Sequence, residues 1–248
     1  MLDFNNVTYS YPGGEPALNG ISFHISDGEQ IGLIGANGAG KSTLMKAALG
    51  LIGVQGTITA CGLQMNKQNL SQIRKHLGYV LQNSDNQMFM PTVIEDMIFG
   101  PVNYGMSREE AEKVADKTLA QLGMEHLRDR HNHRMSGGEK RMAAIATILA
   151  MEPKLMLMDE PSAALDPRNR RILIDMLNQL PVTKIIASHD LDMILETCDR
   201  VILINDGQIV ADGDTLTVLS NKTLLENNNL ELPFCLAGIP MKKRPKMQ

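Results

Sequence analysis

Tryptophan is missing from this 248-residue chain, and aromatic residues make up only 4% of it. Seventeen methionines, soft and adaptable, are available to fill the core instead, and neither feature carries a function. Cysteine is scarce. Cys61, Cys198 and Cys235 are odd in number and far apart, which fits reduced structural thiols better than disulfides or a zinc site. No charge of one sign dominates: the net charge is −4, with both signs spread along the chain, so there is no electrostatic footprint for nucleic acid. Long apolar runs are lacking too. The longest, Met142 to Met151, is far too short to span a bilayer. Met1-Leu2-Asp3-Phe4 has neither the basic nor the hydrophobic region of a secretory signal, so the expected compartment is the cytosol. There is no internal repeat and no low-complexity segment.

What is present is an apolar content of 43%, enough for the core of one large domain or two small ones. The chain is organised around Gly35-Ala36-Asn37-Gly38-Ala39-Gly40-Lys41-Ser42. This loop follows the apolar run Gln30 to Ile34, read as a buried strand, and leads into Thr43 to Leu49, read as a helix. In that context G-x-x-x-x-G-K-S is a phosphate cradle. Glycines let successive backbone N–H groups turn toward an anion, and the helix start adds its unpaired N–H groups and partial positive charge. Lys41 supplies charge for β- and γ-phosphates, and Ser42 a hydroxyl for Mg²⁺.

Leu2 to Val7 and Ala17 to Ile25 alternate like antiparallel strands around the turn Tyr11 to Gly14, with short strands at 56–60 and 76–81. From Thr92 the pattern turns helical, with a capping box at Ser107 to Glu110 and a helix from Ser136 to Ala150. Strands at Leu155 to Met158, Lys184 to Ser188 and Arg200 to Asn205 then alternate with helices from Asp166 and Leu191, and Asp206-Gly207 closes a hairpin. This order predicts an α/β fold: a P-loop NTPase core of RecA type, an N-terminal antiparallel β subdomain, and an α-helical subdomain inserted at about 88–150. Residues 1–220 form the expected cassette. Residues 221–248, Asn-rich and then basic at Lys242 to Lys246, read as a solvated, partly disordered tail, with contact to anionic lipid as the lesser reading.

Leu155-Met156-Leu157-Met158 ends in Asp159-Glu160. Two acids at a strand end are commonly a surface turn. Behind a P-loop they read instead as a Mg²⁺ carboxylate, Asp159, and a group reaching the attacking water, Glu160. Ser136-Gly137-Gly138-Glu139 is a second anion-seeking helix start, and one nucleotide needs only one. Another chain's nucleotide is the natural target.

With these residues the sequence resembles the ATP-binding subunits of ABC transporters over residues 1 to 220. Met135 to Glu139 resembles the family signature, with Met and Glu where Leu and Gln are commoner. Ser162 to Asp166 resembles the D-loop, His189 the switch histidine, Gln82 the Q-loop glutamine, and Tyr11 the aromatic that stacks on adenine. Each is weak alone, and together they stand in family order. The resemblance implies two cassettes closing head to tail, most simply as a homodimer with two competent sites. Each ATP would lie between one chain's Gly35, Asn37, Gly38, Ala39, Gly40, Lys41, Ser42 and Thr43 and the partner's Ser136, Gly137 and Gly138, with Asp166 at the junction. Lys41, Ser42, Asp159 and Mg²⁺ would neutralise the triphosphate, Gln82 would reach the same metal, Glu160 would polarise the water and His189 would hold the γ-phosphate.

Gln82 to Phe89, Pro91-Thr92-Val93 and Glu95 to Pro101 are similar to the energy-coupling-factor importers, with Ser84 where Pro is usual. That subgroup includes cobalt and nickel uptake systems, and the short tail is more like its metal-ion members than its vitamin members. The implied partners are integral membrane subunits at the cytoplasmic face of the membrane, and no nucleic acid. His126, His131 and His133 could ligate a metal, but Arg128 to Arg134 reads better as a solvated cationic loop beside the signature. The alternatives are a vitamin importer ATPase, for biotin for example, a soluble non-transport ABC ATPase, and a module that holds ATP without hydrolysing it. The second lacks support in this chain, which has no heptad arm and one cassette only; Glu160 argues against the third.

Overall fold

The computed structural model describes residues 1–238, so the basic run Lys242 to Lys246 lies outside the described residues. Strands β1 (Leu2–Ser10) and β2 (Pro16–Ile25) pair antiparallel, and β3 (Gln30–Ile34) runs into helix α1 (Lys41–Ala48). Then come β4 (Gln55–Ala60), β5 (Leu63–Gln64), α2 (Leu70–His76) and β6 (Leu77–Val80). Helices α3 (Val93–Asn103), α4 (Arg108–Gln121) and α5 (Gly137–Leu149) form the inserted lobe. The core resumes with β7 (Leu155–Asp159), α6 (Pro167–Gln179), β8 (Thr183–Ala187), α7 (Leu191–Thr197), β9 (Arg200–Asn205) and β10 (Gln208–Asp214). Short helices α8 (Thr215–Leu219), α9 (Lys222–Asn227) and α10 (Phe234–Ala237) follow.

Two sheets result. The smaller has the order β2-β1-β4-β5, the larger β10-β9-β3-β8-β7-β6, parallel except for β10. The central strands β3, β8 and β7 of the larger sheet are buried on both faces, and alternate side chains serve two cores. Leu155 and Leu157 of β7 pack toward the antiparallel sheet and α1, and Met156 and Met158 toward α5, α6 and α7. Asp159 follows as the last residue of that strand, so the P-loop and the carboxylate sit at one edge, beyond the carboxyl ends of parallel strands, where open α/β sheets bind ligands.

The expected α/β architecture is therefore the one observed, and the differences are local. Residues 221–238 are not a solvated tail. The Asn221 side chain accepts from Leu224 N–H to start α9, Leu225 is fully buried, and Asn228 Nδ2 donates to Leu224 O at 2.8 Å. Asparagines read as disorder serve as caps. Further along, the Asp192 carboxylate of α7 accepts the N–H groups of Phe234 and Cys235, both at 2.9 Å.

Lys184 of β8 is fully buried, its Nζ donating to Leu177 O at 2.7 Å and Leu180 O at 2.8 Å at the end of α6. Burial pulls its pKa down to about 8 from 10.5. The unfolded chain then binds that proton more tightly, so this group adds stability as pH rises from about 8 toward 10.5. Between pH 7 and pH 10, wild type should gain about 2 kcal/mol over Lys184→Met. Paired urea titrations at the two pH values check it; a constant difference would contradict a depressed Lys184.

Candidate functional site

The loop between β3 and α1 is wedged between two other strands, and that dictates its glycines. Gly35 has φ 154°, and a Cβ there would stand 2.2 Å from Ile204 O of β9. Gly40 has φ 114°, and its Cβ would meet Ala17 O of β2 at 2.6 Å. Gly40 also caps α1 without a side chain, so no hydroxyl or carboxylate competes for the first N–H groups of the helix. Below the loop opens a cavity of about 370 Å³, lined by Asn37, Gly38, Ala39, Gly40, Lys41, Ser42, Thr43, Gln82, Asp159, Glu160, Ala163 and His189.

Lys41 is buried, its Nζ resting on Gly35 O at 2.7 Å and Ala36 O at 3.1 Å, with His189 Nε2 at 3.3 Å. Burial lowers its pKa, and the carboxylates of Glu160 and Asp159 oppose that shift. Ser42 Oγ donates to Asp159 Oδ2 at 3.0 Å, and Tyr79 OH reaches the same oxygen at 3.4 Å. The Tyr79 phenol is pushed up to about 12 by burial and then by Asp159.

Glu160 begins the turn after β7 in a left-handed conformation, φ 48°, which costs a non-glycine residue energy and is commonest at functional sites. Its Oε2 accepts from Ser188 Oγ and from His189 N–H, each at 3.2 Å. Its Oε1 is buried with no hydrogen-bond partner among the described residues, 3.4 Å from His189 Nε2 in a geometry outside a hydrogen bond. One oxygen is fixed and the other is available.

Two of these observations test the groups the sequence implied. An anion-sized space faces a glycine-lined helix start with an ammonium beside it, which suits a polyphosphate. A hydroxyl and a carboxylate converging at 3.0 Å, with Gln82 on the same wall, are hard oxygen donors of the kind Mg²⁺ takes.

The signature residues stand apart. Ser136 caps α5 in a capping box, its Oγ accepting from Glu139 N–H at 3.3 Å while Glu139 Oε2 accepts from Ser136 N–H at 2.7 Å. Those bonds hold the Glu139 carboxyl below its ordinary range and engage the acid in place of the commoner Gln. Gly138 packs on Asn169 of α6, where a Cβ would fall 2.5 Å from the side-chain amide. Asp166 caps α6 through Asn169 N–H at 2.9 Å. Ser136, Gly137, Gly138 and Asp166 do not line the cavity. Tyr11 is also outside it, with its OH 3.4 Å from Thr43 Oγ1 and its ring edge-on to Tyr9. His131 and His133 lie 5.4 Å apart, centroid to centroid.

Reading the sequence missed Tyr79 and Ser188, which orient the two acids. Ser188 had a signal, standing directly before His189 at the end of β8. Tyr79 had none, because only the parallel pairing of β6 with β7 brings it near Asp159.

A glycine-bent phosphate loop at the edge of a parallel sheet, acids at the end of the next strand but one and a helical lobe inserted between them define an ATP-hydrolysing P-loop cassette. The chain belongs to the ABC transporter family, whose sequence profile matches residues 18–163. SCO3161 of Streptomyces coelicolor, described only as an ABC transporter ATP-binding protein, is 44% identical over 94% of this chain and 90% of its own length. The energy-coupling factor transporter ATP-binding protein EcfA of Methanothermobacter thermautotrophicus is 39% identical over 94% of this chain and 77% of its own. Among solved structures, cbiO1 of Clostridium perfringens, part of the ABC transporter complex cbiONQ, superposes with a TM-score of 0.81 at 35% identity, covering 96% of this chain and 97% of that one. The dimeric cassette MJ0796 bound to ADP and Pi superposes at 0.78 with 26% identity, covering 87% and 99%. Among the described residues no helix is long and apolar enough to cross a membrane.

Proposed function

We propose that this chain is an ATPase subunit of an energy-coupling-factor importer for cobalt or nickel ions, working as a head-to-tail dimer at the cytoplasmic face of the membrane on integral membrane subunits. The observation that carries the reading is the split site. One cavity holds Lys41, Ser42, Asp159, Glu160 and His189, while the second phosphate-seeking helix start, at Ser136, opens elsewhere. A nucleotide on this P-loop is walled on one side, and the Ser136 to Gly138 segment of a second chain supplies the other. The EcfA relative, and a structural neighbour from a cbiONQ complex, support the importer class.

In this mechanism the Gly35 to Thr43 loop binds the phosphates and Tyr11 meets the adenine. Lys41 Nζ turns from the carbonyls of Gly35 and Ala36 to the β- and γ-phosphates. Mg²⁺, when bound, supplies positive charge at those phosphates, held by Ser42, Asp159 and Gln82. Glu160 Oε1 accepts a hydrogen bond from the attacking water and takes its proton, and His189 Nε2 holds the γ-phosphate. Positioning and charge complementarity do most of the work in such a transfer. Release of ADP and phosphate reopens the dimer.

The membrane partner has a surface to meet on the helical lobe. Phe89 and Phe99 pack edge to face at 4.9 Å, yet are 64% and 40% exposed, more than an isolated lobe needs to show water.

Affinity purification from native membranes, followed by uptake assays with labelled cobalt, nickel and vitamins, tests the reading. ATP-dependent accumulation of cobalt or nickel is expected, and Phe89→Ser should weaken capture of the membrane subunits while nucleotide binding is unchanged. A chain that ran without membrane subunits and associated with ribosomes would remove the importer assignment.

A further inference from the structure

Strand β6 pairs with β7 as far as Val80 and Met158, and there the sheet lets the chain go. The carbonyls that follow are taken by the signature helix, and the next N–H by a glutamine anchored to it. Leu81 N–H donates to Gln87 Oε1 at 3.0 Å, and Gln87 Nε2 donates to Ala144 O at 2.5 Å and Thr147 Oγ1 at 3.3 Å in α5. Arg141 Nη1 donates to Leu81 O at 2.6 Å, and its Nη2 donates to Gln82 O. Lys140 reaches Asp85 at 2.5 Å. Three side chains thus fasten residues 81–87 to α5.

Arg141 is the unusual one. It is 4% exposed, burial lowers its pKa, and no carboxylate among the described residues pairs with it. A buried cation is a poor source of stability, since apolar side chains of similar volume often serve as well or better. Grasping two particular carbonyls is a task that does need a planar, multi-donor fork. One of those carbonyls belongs to Gln82, a residue that lines the nucleotide cavity, and Arg141 lies in the same helix that Ser136 caps.

We propose that Arg141 is a positioning residue that makes Gln82 and the Ser136 end of α5 one rigid unit. Seating Ser136 to Gly138 on a partner's nucleotide and setting Gln82 against the chain's own nucleotide are then a single displacement. The inference rests on the head-to-tail dimer proposed above, and it makes each site's readiness report engagement at the other.

Steady-state ATP hydrolysis by the intact protein tests it, using Arg141→Met, Gln82→Ala and the double variant. A misplaced contact of this kind lowers kcat about 100-fold. KM for ATP should stay within about twofold, because the P-loop is untouched. The double variant should be no slower than Gln82→Ala alone, since Arg141 acts only through Gln82. The Hill coefficient for ATP should fall from about 2 toward about 1. Arg141→Lys, which reaches a single carbonyl, should recover part of kcat, and it carries the same test if the methionine variant does not fold. Losses that multiply in the double variant, or a wild-type kcat in Arg141→Met or Arg141→Lys, would overturn the proposal while leaving the dimer standing. A Glu160→Gln protein that forms no dimer with ATP on size exclusion would remove both.

Discussion

Replacing Glu160 by Gln is expected to slow ATP turnover about a thousandfold, within the range lost when a positioned general base is removed. Gln keeps the length of the side chain, and its carbonyl can still accept from Ser188 and His189 as Glu160 Oε2 does at 3.2 Å. What disappears is the charge and basicity of Oε1, the buried oxygen without a hydrogen-bond partner among the described residues, to which the proposed mechanism assigns the proton. Removing a negative charge from the wall of a phosphate cavity also lowers repulsion toward the triphosphate. Binding should therefore stay or tighten while hydrolysis stops, so ATP-loaded dimer accumulates. Phosphate release and size exclusion with ATP and Mg²⁺ read the two effects separately. Turnover at the wild-type rate would take Glu160 out of the mechanism and leave the water without a base.

Lys41→Ala should have the opposite signature. Taking one partner from a desolvated charge pair costs about 3 kcal/mol, roughly a 100-fold loss of ATP affinity. The nucleotide-free protein should barely notice. There Lys41 only rests on the carbonyls of Gly35 and Ala36, and burial already disfavours its charge. An unchanged melting temperature without nucleotide, with the ATP-induced rise in melting temperature lost, is the expected pair of results. A large drop in the nucleotide-free melting temperature would recast Lys41 as a structural strut.

Legibility in the sequence followed the range of the interaction. The P-loop, the acids ending β7 and the capping box at Ser107 to Glu110 are local patterns, in which neighbouring residues settle their own geometry. The parallel sheet was legible because strands buried on both faces carry near-continuous apolar runs. Residues 221–238 were misread because asparagine in bulk looks like disorder, whereas Asn221 and Asn228 each satisfy a backbone group of α9. Tyr79 and Arg141 were invisible for a different reason. Their partners, Asp159 and the carbonyls of Leu81 and Gln82, are assembled by sheet order and by the docking of α5, which spacing does not encode.

Glu160 holds φ 48° in a region that an unsubstituted backbone enters freely. Glu160→Gly would relax the turn by about 1 kcal/mol while removing the carboxylate that the proposed mechanism uses to take the water's proton. Selection for heat resistance and selection for work therefore pull this position in opposite directions. A screen that rewarded melting temperature alone would drift toward a sturdier molecule that holds its fuel and never burns it.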